Sequence, residues 1–149
     1  MEKYTAIVLA AGVGKRMNSK IQKQYMLLGG KPVLFYALDA FEKSRVDEII
    51  LVVGKGEIEY CRKEIVEKYK FHKVTKIVEG GKERYHSVYE GLKAIDTADY
   101  VLIHDGARPF INQQILVHAI EAVKQYQACV VGMPVKDTIK ITTEDGFSK

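Results

Sequence analysis

The sequence of 149 residues is poor in cysteine and has no long apolar run, and both features exclude classes of protein. Cys61 and Cys129 are far apart and lack the close spacing of redox or zinc motifs, so we interpret both as reduced core thiols of a cytoplasmic protein. No apolar run approaches the roughly 20 residues that a membrane span needs. A strand pattern begins at Tyr4, which leaves no room for a signal peptide. We therefore expect a cytoplasmic protein without a membrane partner.

The sequence also has no large excess of charge of one sign. The formal net charge is +4, and lysine alternates with glutamate through residues 57–70 without forming a basic block. This pattern gives no reason to expect a nucleic-acid partner. The four histidines lack the close pairing of zinc ligands, and no GxSxG nucleophile motif is present. With 47% hydrophobic and 28% charged residues, the composition predicts one globular domain over residues 1–149.

Short β-branched runs alternate with segments of helical period. The predicted strands are residues 4–9, 48–53, 74–78, 100–104 and 129–133. Apolar residues share one helical face within residues 34–41, 58–69, 88–95 and 116–123, and Asn112 is a suitable N-cap for the last of these helices. The alternation predicts an α/β fold with a doubly wound, mostly parallel sheet. Residues 136–141 read as a further strand without a covering helix, so residues 136–149 are predicted to begin a projecting β-arm.

Ligands of an open α/β sheet bind beyond the carboxyl ends of its strands. That rule selects the loops at residues 10–17, 80–84 and 105–109. In the first loop, small residues at positions 10–12 and Gly14 allow backbone N–H groups to approach phosphate oxygens. Lys15, Arg16 and Lys23 add three cations suited to a triphosphate.

Two better-known phosphate loops do not fit this segment. A Walker loop requires glycine where Leu9 stands and serine or threonine where Arg16 stands. A dinucleotide-binding fingerprint requires a small residue where Met17 stands. A glycine turn with solvated lysines is the structural alternative.

The other two loops also offer polar groups to a ligand. Asp105, at the end of a strand, could hold a divalent cation that bridges to phosphates, or it could form an Asx-turn. Arg108 could instead tie its loop to a neighbouring carboxylate. Gly80 and Gly81 precede a helix that begins near residue 83, and its Ser87 could reach a ligand or lie on the surface.

Five motifs together resemble the methylerythritol-phosphate cytidylyltransferase family. They are LAAGVGKRM at residues 9–17, KQY at 23–25, GGKER at 80–84 followed by Ser87 and Val88, HDGARPF at 104–110, and PVKDTIK at 134–140. The resemblance implies a Rossmann-like nucleotidyltransferase fold. It also implies that CTP reacts with a sugar-alcohol phosphate, that Mg²⁺ is the cofactor, and that the complete enzyme is a homodimer.

The resemblance also implies roles for individual residues. Arg16 and Lys23 would neutralise charge in the transition state, Asp105 would bind Mg²⁺, and Thr138 and Arg108 would contact the sugar-alcohol phosphate. The nucleotide-binding residues would be Ala10, Ala11, Gly12, Gly14, Lys15, Gly81, Lys82, Ser87 and Gly106.

Two departures from the family pattern leave alternatives open. Gln22 stands where the family usually has proline, and the family continues well past the position that matches Lys149. A ribitol-5-phosphate cytidylyltransferase shares several of the motifs, although residues 104–108 and 134–140 favour the methylerythritol enzyme. An inactive CTP-binding fragment is the alternative from another functional class.

Overall fold

The computed structural model describes residues 1–12, 21–137 and 139–145. Six strands and four α-helices follow one another along these residues, with a 3₁₀ turn at Lys23–Tyr25. The strands are β1 (Tyr4–Ala10), β2 (Leu27–Leu28), β3 (Lys31–Pro32), β4 (Glu48–Val53), β5 (Val74–Glu79) and β6 (Tyr100–Asp105). The helices are α1 (Val33–Glu42), α2 (Ile58–Cys61), which continues as a π-helical segment at Arg62–Glu67, α3 (Arg84–Lys93) and α4 (Gln113–Tyr126).

Four of the strands form one parallel sheet in the order β5-β4-β1-β6. β2 and β3 form a separate two-stranded antiparallel pair. The chain fills one side of β1 with β4 and β5 and then crosses to the other side, where it adds β6. The direction of winding therefore reverses between β1 and β6, and ligands of doubly wound sheets bind at such a reversal.

Both faces of β1 are buried, which explains its continuous apolar sequence. Ala6 and Val8 belong to a cluster that contains apolar residues of α1, α2 and α4. Ile7 and Leu9 point to the opposite face, where Val88 of α3 packs. This two-sided burial confirms the predicted doubly wound α/β sheet.

The predicted elements of the first 127 residues are confirmed with small changes in their bounds. β1, β5 and β6 each extend one residue beyond the prediction, and β4 has the predicted bounds. The predicted N-cap of α4 is also present, because the backbone N–H of Ile115 donates to Asn112 Oδ1 at 3.0 Å. Its C-terminal cap, Gln127, adopts the left-handed conformation with φ 65°.

The predicted strand at residues 129–133 does not form. Val130 is 96% exposed, Val131 and Met133 are exposed too, and no described element covers them. Cys129 lies beside α4 instead of β6, with its Sγ 3.6 Å from the carbonyl oxygen of Ala119. A β-branched apolar run shows that a segment suits a sheet, but a strand also needs a partner and cover on both faces.

The predicted strand at residues 136–141 is likewise absent from the described residues. The irregular, exposed segment starts just after α4, earlier than the predicted arm at residue 136. Ile139 and Ile141 are exposed. Thr138 and residues 146–149 lie outside the described residues.

The two cysteines differ in their surroundings. Cys61 is fully buried and its Sγ lies 3.1 Å from the Tyr25 hydroxyl, whereas Cys129 is exposed. The interpretation of both as core thiols is therefore wrong for Cys129, whose segment lacks cover. Burial raises the pKa of Cys61 to about 11. Within the described ranges, no helix has the length and apolar character to cross a membrane.

This contrast predicts selective alkylation. Because the raised pKa keeps Cys61 mainly as the thiol at pH 8 and the fold also shields it, iodoacetamide should label Cys129 alone. Peptide mass spectrometry identifies the labelled residue, and Cys129→Ser should leave no rapidly reacting thiol until denaturant is added. Fast labelling of Cys61 in the folded chain would contradict the packing of this residue.

Candidate functional site

The carboxyl end of β1 is fixed by a buried glutamine. Nε2 of Gln24 lies 2.6 Å from the carbonyl oxygen of Ala10 and 3.0 Å from that of Gly12. Gln24 is only 3% exposed, whereas the neighbouring Lys23 is exposed. The sequence thus anchors one residue of the 3₁₀ turn and presents the adjacent cation at the edge of the sheet.

A second anchor holds the same turn to the end of β4. Glu57 Oε1 accepts a hydrogen bond from Gln22 Nε2 at 2.5 Å, and Oε2 accepts from the Tyr25 hydroxyl at 2.8 Å. Oε2 also accepts from the backbone N–H of Gly54 at 3.0 Å. Burial raises the pKa of Tyr25, so its hydroxyl keeps the proton that it donates. Glu57 therefore fixes the residues on both sides of Lys23 and Gln24.

The loop between β5 and α3 packs closely against the loop that follows β1. A Cβ atom at Gly80 would lie 2.6 Å from the Cβ of Ala11 and 2.5 Å from Ser87 Oγ, so only glycine fits. Ser87 is 4% exposed, and its Oγ accepts a hydrogen bond from the backbone N–H of Gly81 at 3.2 Å. The alternative interpretation of Ser87 as a surface residue is wrong, because it supports this loop from within.

The loop after β6 is tied to β1 through the backbone. The N–H of Gly106 donates to the carbonyl oxygen of Leu9 at 2.7 Å. The N–H of Gly80 makes the corresponding bond to Val53 at the end of β4, at 2.8 Å. A carbonyl group near the end of one strand thus fixes the loop that leaves the neighbouring strand, which brings the loops together at one edge.

Asp105 lies between two arginines at this edge. Arg84 Nε donates to Oδ1 at 3.0 Å, and Arg108 Nε donates to Oδ2 at 3.1 Å. The Asp105 side chain is 31% exposed, and both arginine side chains are largely in solvent. The arrangement joins the first residue of α3 to the end of β6 and puts two cations beside one carboxylate.

His104 supports the same loop through its side chain. Its Nε2 donates to the carbonyl oxygen of Arg108 at 3.0 Å, and its ring packs edge-on against Phe41 with centroids 5.6 Å apart. Burial lowers the pKa of His104, which favours the neutral ring. This agrees with a structural role for His104.

All of the predicted site residues in the described ranges lie at this one edge of the sheet. Those residues are Ala10, Ala11, Gly12, Lys23, Gly81, Lys82, Ser87, Asp105, Gly106 and Arg108. Four predicted residues, Gly14, Lys15, Arg16 and Thr138, lie outside the described residues. The ligand roles of all these residues remain predictions.

Three residues of the site were missed by the sequence reasoning. Gln24 and Arg84 belong to the quoted motifs but received no role, and Glu57 belongs to none of them. Arg84 gave a detectable signal, because a cation at the first position of a helix opposes the helix dipole and needs another reason to be there. Glu57 gave no such signal, since only the fold brings it to Gln22 and Tyr25.

The described residues fit one kind of metal site. No group of three histidine, cysteine, aspartate or glutamate side chains within them converges to hold an ion. Asp105 supplies an anionic oxygen donor at the end of β6, where the loops meet. Mg²⁺ suits such a place, because it keeps several waters and takes one or two carboxylates together with substrate phosphates. The described residues at this edge therefore do not form a preformed set of protein ligands for a metal.

Comparisons with known proteins identify a matching family. A model of the family described as 2-C-methyl-D-erythritol 4-phosphate cytidylyltransferase matches residues 4–148. The protein of that name from Lachnoclostridium phytofermentans is 58% identical over 147 residues, which are 99% of this chain and 63% of that protein. The protein of the same name from Lachnospira eligens is 59% identical over 145 residues, 97% of this chain and 63% of the relative.

A solved structure gives the same result for the fold. The crystal structure of 4-diphosphocytidyl-2C-methyl-D-erythritol synthase from Anaerococcus prevotii superposes with a TM-score of 0.81 at 36% identity. The superposition covers 99% of this chain and 62% of that structure. The chain thus spans slightly less than two thirds of the length of these relatives. Fold, motifs and identity together place this chain in the 2-C-methyl-D-erythritol 4-phosphate cytidylyltransferase family.

Proposed function

We propose that this chain binds CTP and transfers CMP to 2-C-methyl-D-erythritol 4-phosphate with release of pyrophosphate. One observation carries the proposal: the loops after β1, β5 and β6 meet at the reversal of the sheet, with exposed cations around Asp105. Backbone N–H groups that can bind phosphate, together with the positive charge at that place, suit a nucleoside triphosphate. The names of the relatives supply the base and the acceptor, and they favour methylerythritol phosphate over ribitol phosphate.

The proposed reaction requires that the two substrates are positioned and that the negative charge of their phosphates is neutralised. An oxygen of the acceptor phosphate attacks the α-phosphorus of CTP, and the bond to the bridging oxygen of pyrophosphate breaks. The acceptor phosphate is already anionic near pH 7, so no general base is needed. The residues on either side of Lys23 are fixed, Gln24 by its bond to Ala10 and Gln22 by its bond to Glu57. Lys23 would neutralise the negative charge that develops on the phosphates. Arg16 would share that role.

The loops would hold the substrates around this reaction. Backbone groups at residues 10–12 and the segment from Gly81 to Ser87 would surround the cytidine and its phosphates, together with Gly14, Lys15, Lys82 and Gly106. Arg108 and Thr138 would contact the sugar-alcohol phosphate. Asp105 would hold Mg²⁺, which when bound supplies charge stabilisation to the phosphates. A cytoplasmic location and a homodimeric complete enzyme belong to the same proposal.

Binding of CTP with little turnover is the second candidate function. The exposure of Asp137 and Ile139 favours it, because these neighbours of Thr138 pack against none of the loops described above. In that case the chain holds the nucleotide, and the acceptor lacks a complete pocket.

Nucleotide choice and turnover test the proposal together. With Mg²⁺ present, CTP should raise the melting temperature more than ATP, because the space around residues 10–12 and 81–87 is proposed to fit a pyrimidine. Release of pyrophosphate is then measured with methylerythritol phosphate and with ribitol phosphate. An equal or larger shift with ATP would overturn the cytidylyl assignment, whereas a CTP shift without pyrophosphate release would select the second candidate.

Alanine substitutions at two glycines distinguish a contact with the ligand from packing within the fold. Gly12→Ala should keep the melting temperature, since a Cβ there meets no atom of the described residues within 4 Å, but it should weaken CTP binding if phosphate oxygens approach that backbone. Gly80→Ala should instead destabilise the fold by about 1–3 kcal/mol, because its Cβ overlaps Ala11 and Ser87. Melting curves and CTP titrations measure both effects. Unchanged CTP affinity in Gly12→Ala would argue against a phosphate at that backbone.

Lys23 is expected to act mainly in the transition state. Lys23→Ala should lower kcat by roughly 10², the scale of one lost transition-state donor, while the Kd for CTP changes far less. Lys68→Ala, which removes an exposed lysine paired with Glu64 on the π-helical side, is the matched control. If Lys23→Ala lowers the affinity for CTP as much as it lowers turnover, Lys23 contributes to binding in the ground state instead. The same conclusion follows if the chain has no turnover and Lys23→Ala causes a large loss of CTP affinity.

A further inference from the structure

The turn that carries Lys23 is held by the other three residues of its segment. Gln24 is buried, and Gln22 and Tyr25 are half-buried, whereas Lys23 is exposed. The three inward side chains take part in one chain of hydrogen bonds, which joins the end of β1 to the loop after β4. Lys23 is therefore the single charged group of a turn that its neighbours hold in place.

The end of β1 fixes the direction in which these hydrogen bonds are donated. The Gln24 atom beside the carbonyl oxygens of Ala10 and Gly12 must be its nitrogen, because a carbonyl group only accepts. The same nitrogen lies 2.6 Å from Gln22 Oε1, which therefore accepts as well. Nε2 of Gln22 is then the atom that lies 2.5 Å from Glu57 Oε1, and it can only donate. Position 57 must accordingly supply an acceptor.

A carboxylate at position 57 meets this requirement with both of its oxygens. Oε1 accepts from Gln22, while Oε2 accepts from the Tyr25 hydroxyl at 2.8 Å and from the backbone N–H of Gly54 at 3.0 Å. The carboxylate lies so close to Gly54 that a Cβ atom there would be 2.7 Å from Oε2. An amide of the same shape would place its nitrogen against the donor of Gln22 or against the N–H of Gly54. The position therefore selects glutamate over glutamine.

A fixed turn has a direct use in the proposed transfer of CMP. A cation that stabilises charge in the transition state must already be in place when that charge develops, and a displacement of about 1 Å can lower the rate by roughly 10². Gln22 and Glu57 hold the backbone from which the Lys23 side chain extends. Loss of their hydrogen bond would leave the positive charge of Lys23 present but no longer held at one place.

We propose that Glu57 is a positioning residue of the transfer reaction, which acts on Lys23 through its hydrogen bond to Gln22. This role rests on the proposed function, because it explains how the cation of that reaction is kept in place. Glu57 should therefore affect turnover more than the affinity for CTP. An exchange of the two side chains between positions 22 and 57 should preserve the effect, because it keeps one donor opposite one acceptor.

This reciprocal exchange is the test of the pair. Glu57→Gln puts two donors face to face, and Gln22→Glu puts two carboxylates face to face, so each should lower kcat for pyrophosphate release roughly ten- to a hundredfold. In the double variant, the carboxylate at position 22 accepts from Gln24 and from the amide at position 57. The double variant should recover kcat to within about threefold of the wild type, and the Kd for CTP should change by less than about threefold in all variants.

Hydrogen exchange measures the turn itself and does not require turnover. The backbone N–H of Tyr25 donates to the carbonyl oxygen of Gln22 at 2.9 Å, within the turn. Nuclear magnetic resonance should show that this N–H exchanges roughly tenfold faster in each single variant and at the wild-type rate in the double variant. The N–H of Ile115, which donates to Asn112 at the start of α4, is the internal reference and should not change.

Two control variants locate the effect. Glu59→Gln removes an exposed carboxylate that pairs with Arg62, and it should change neither kcat nor the exchange of the Tyr25 N–H. In a Lys23→Ala chain, Glu57→Gln should lower kcat by less than about a further twofold, because Glu57 acts through Lys23. Melting temperatures show that every variant is folded.

The outcomes distinguish this role from the proposed function. Wild-type kcat in both single variants, no recovery in the double variant, or equal losses of kcat and of CTP affinity would each overturn the role of Glu57. A large further loss in the Lys23→Ala chain would overturn it too. If the wild type releases no pyrophosphate, the proposed transfer fails instead, and the exchange of the Tyr25 N–H decides: unchanged rates overturn the pairing, and recovery in the double variant supports it.

Discussion

The carboxyl end of β1 is the constraint on which the rest of the site depends. A central parallel strand leaves carbonyl groups at its end that no further strand residue satisfies, and buried carbonyl groups need donors. Here Gln24 serves Ala10, and Gly106 serves Leu9. Each donor belongs to a segment that also carries a charged residue, so satisfying the strand end brings those charges to the same edge.

The charged side chains owe their positions to neutral neighbours. Lys23 precedes Gln24, whose side-chain amide is buried, and Asp105 precedes Gly106, whose N–H is bound to β1. The exposed charges contribute little to stability themselves, since exposed ion pairs are weak. Packing and neutral hydrogen bonds can therefore define the geometry of the site without a large contribution from its exposed charges.

The sequence predicted the sheet well because its two central strands, β1 and β4, are buried along almost their whole length and carry a nearly continuous apolar pattern. It predicted that the loops after β1, β5 and β6 lie at one edge of the sheet because the rule for strand ends requires only the order of elements. It failed at residues 129–133, where composition alone could not show whether a partner strand and a cover were at hand. Glu57 was missed for a related reason, because its hydrogen bonds to Gln22 and Tyr25 join segments that are distant in sequence.

The hydrogen bonds of the Gln24 side chain restrict the substitutions that position 24 tolerates. Its nitrogen faces three oxygen acceptors, those of Ala10, Gly12 and the Gln22 side chain, and no donor is among them. Glutamate has nearly the same shape, yet its oxygens would meet these acceptors without a hydrogen to share, inside a buried site. A change of one codon base, or deamidation with age, would thus turn attraction into repulsion, so position 24 distinguishes two side chains that sequence comparisons usually treat as interchangeable.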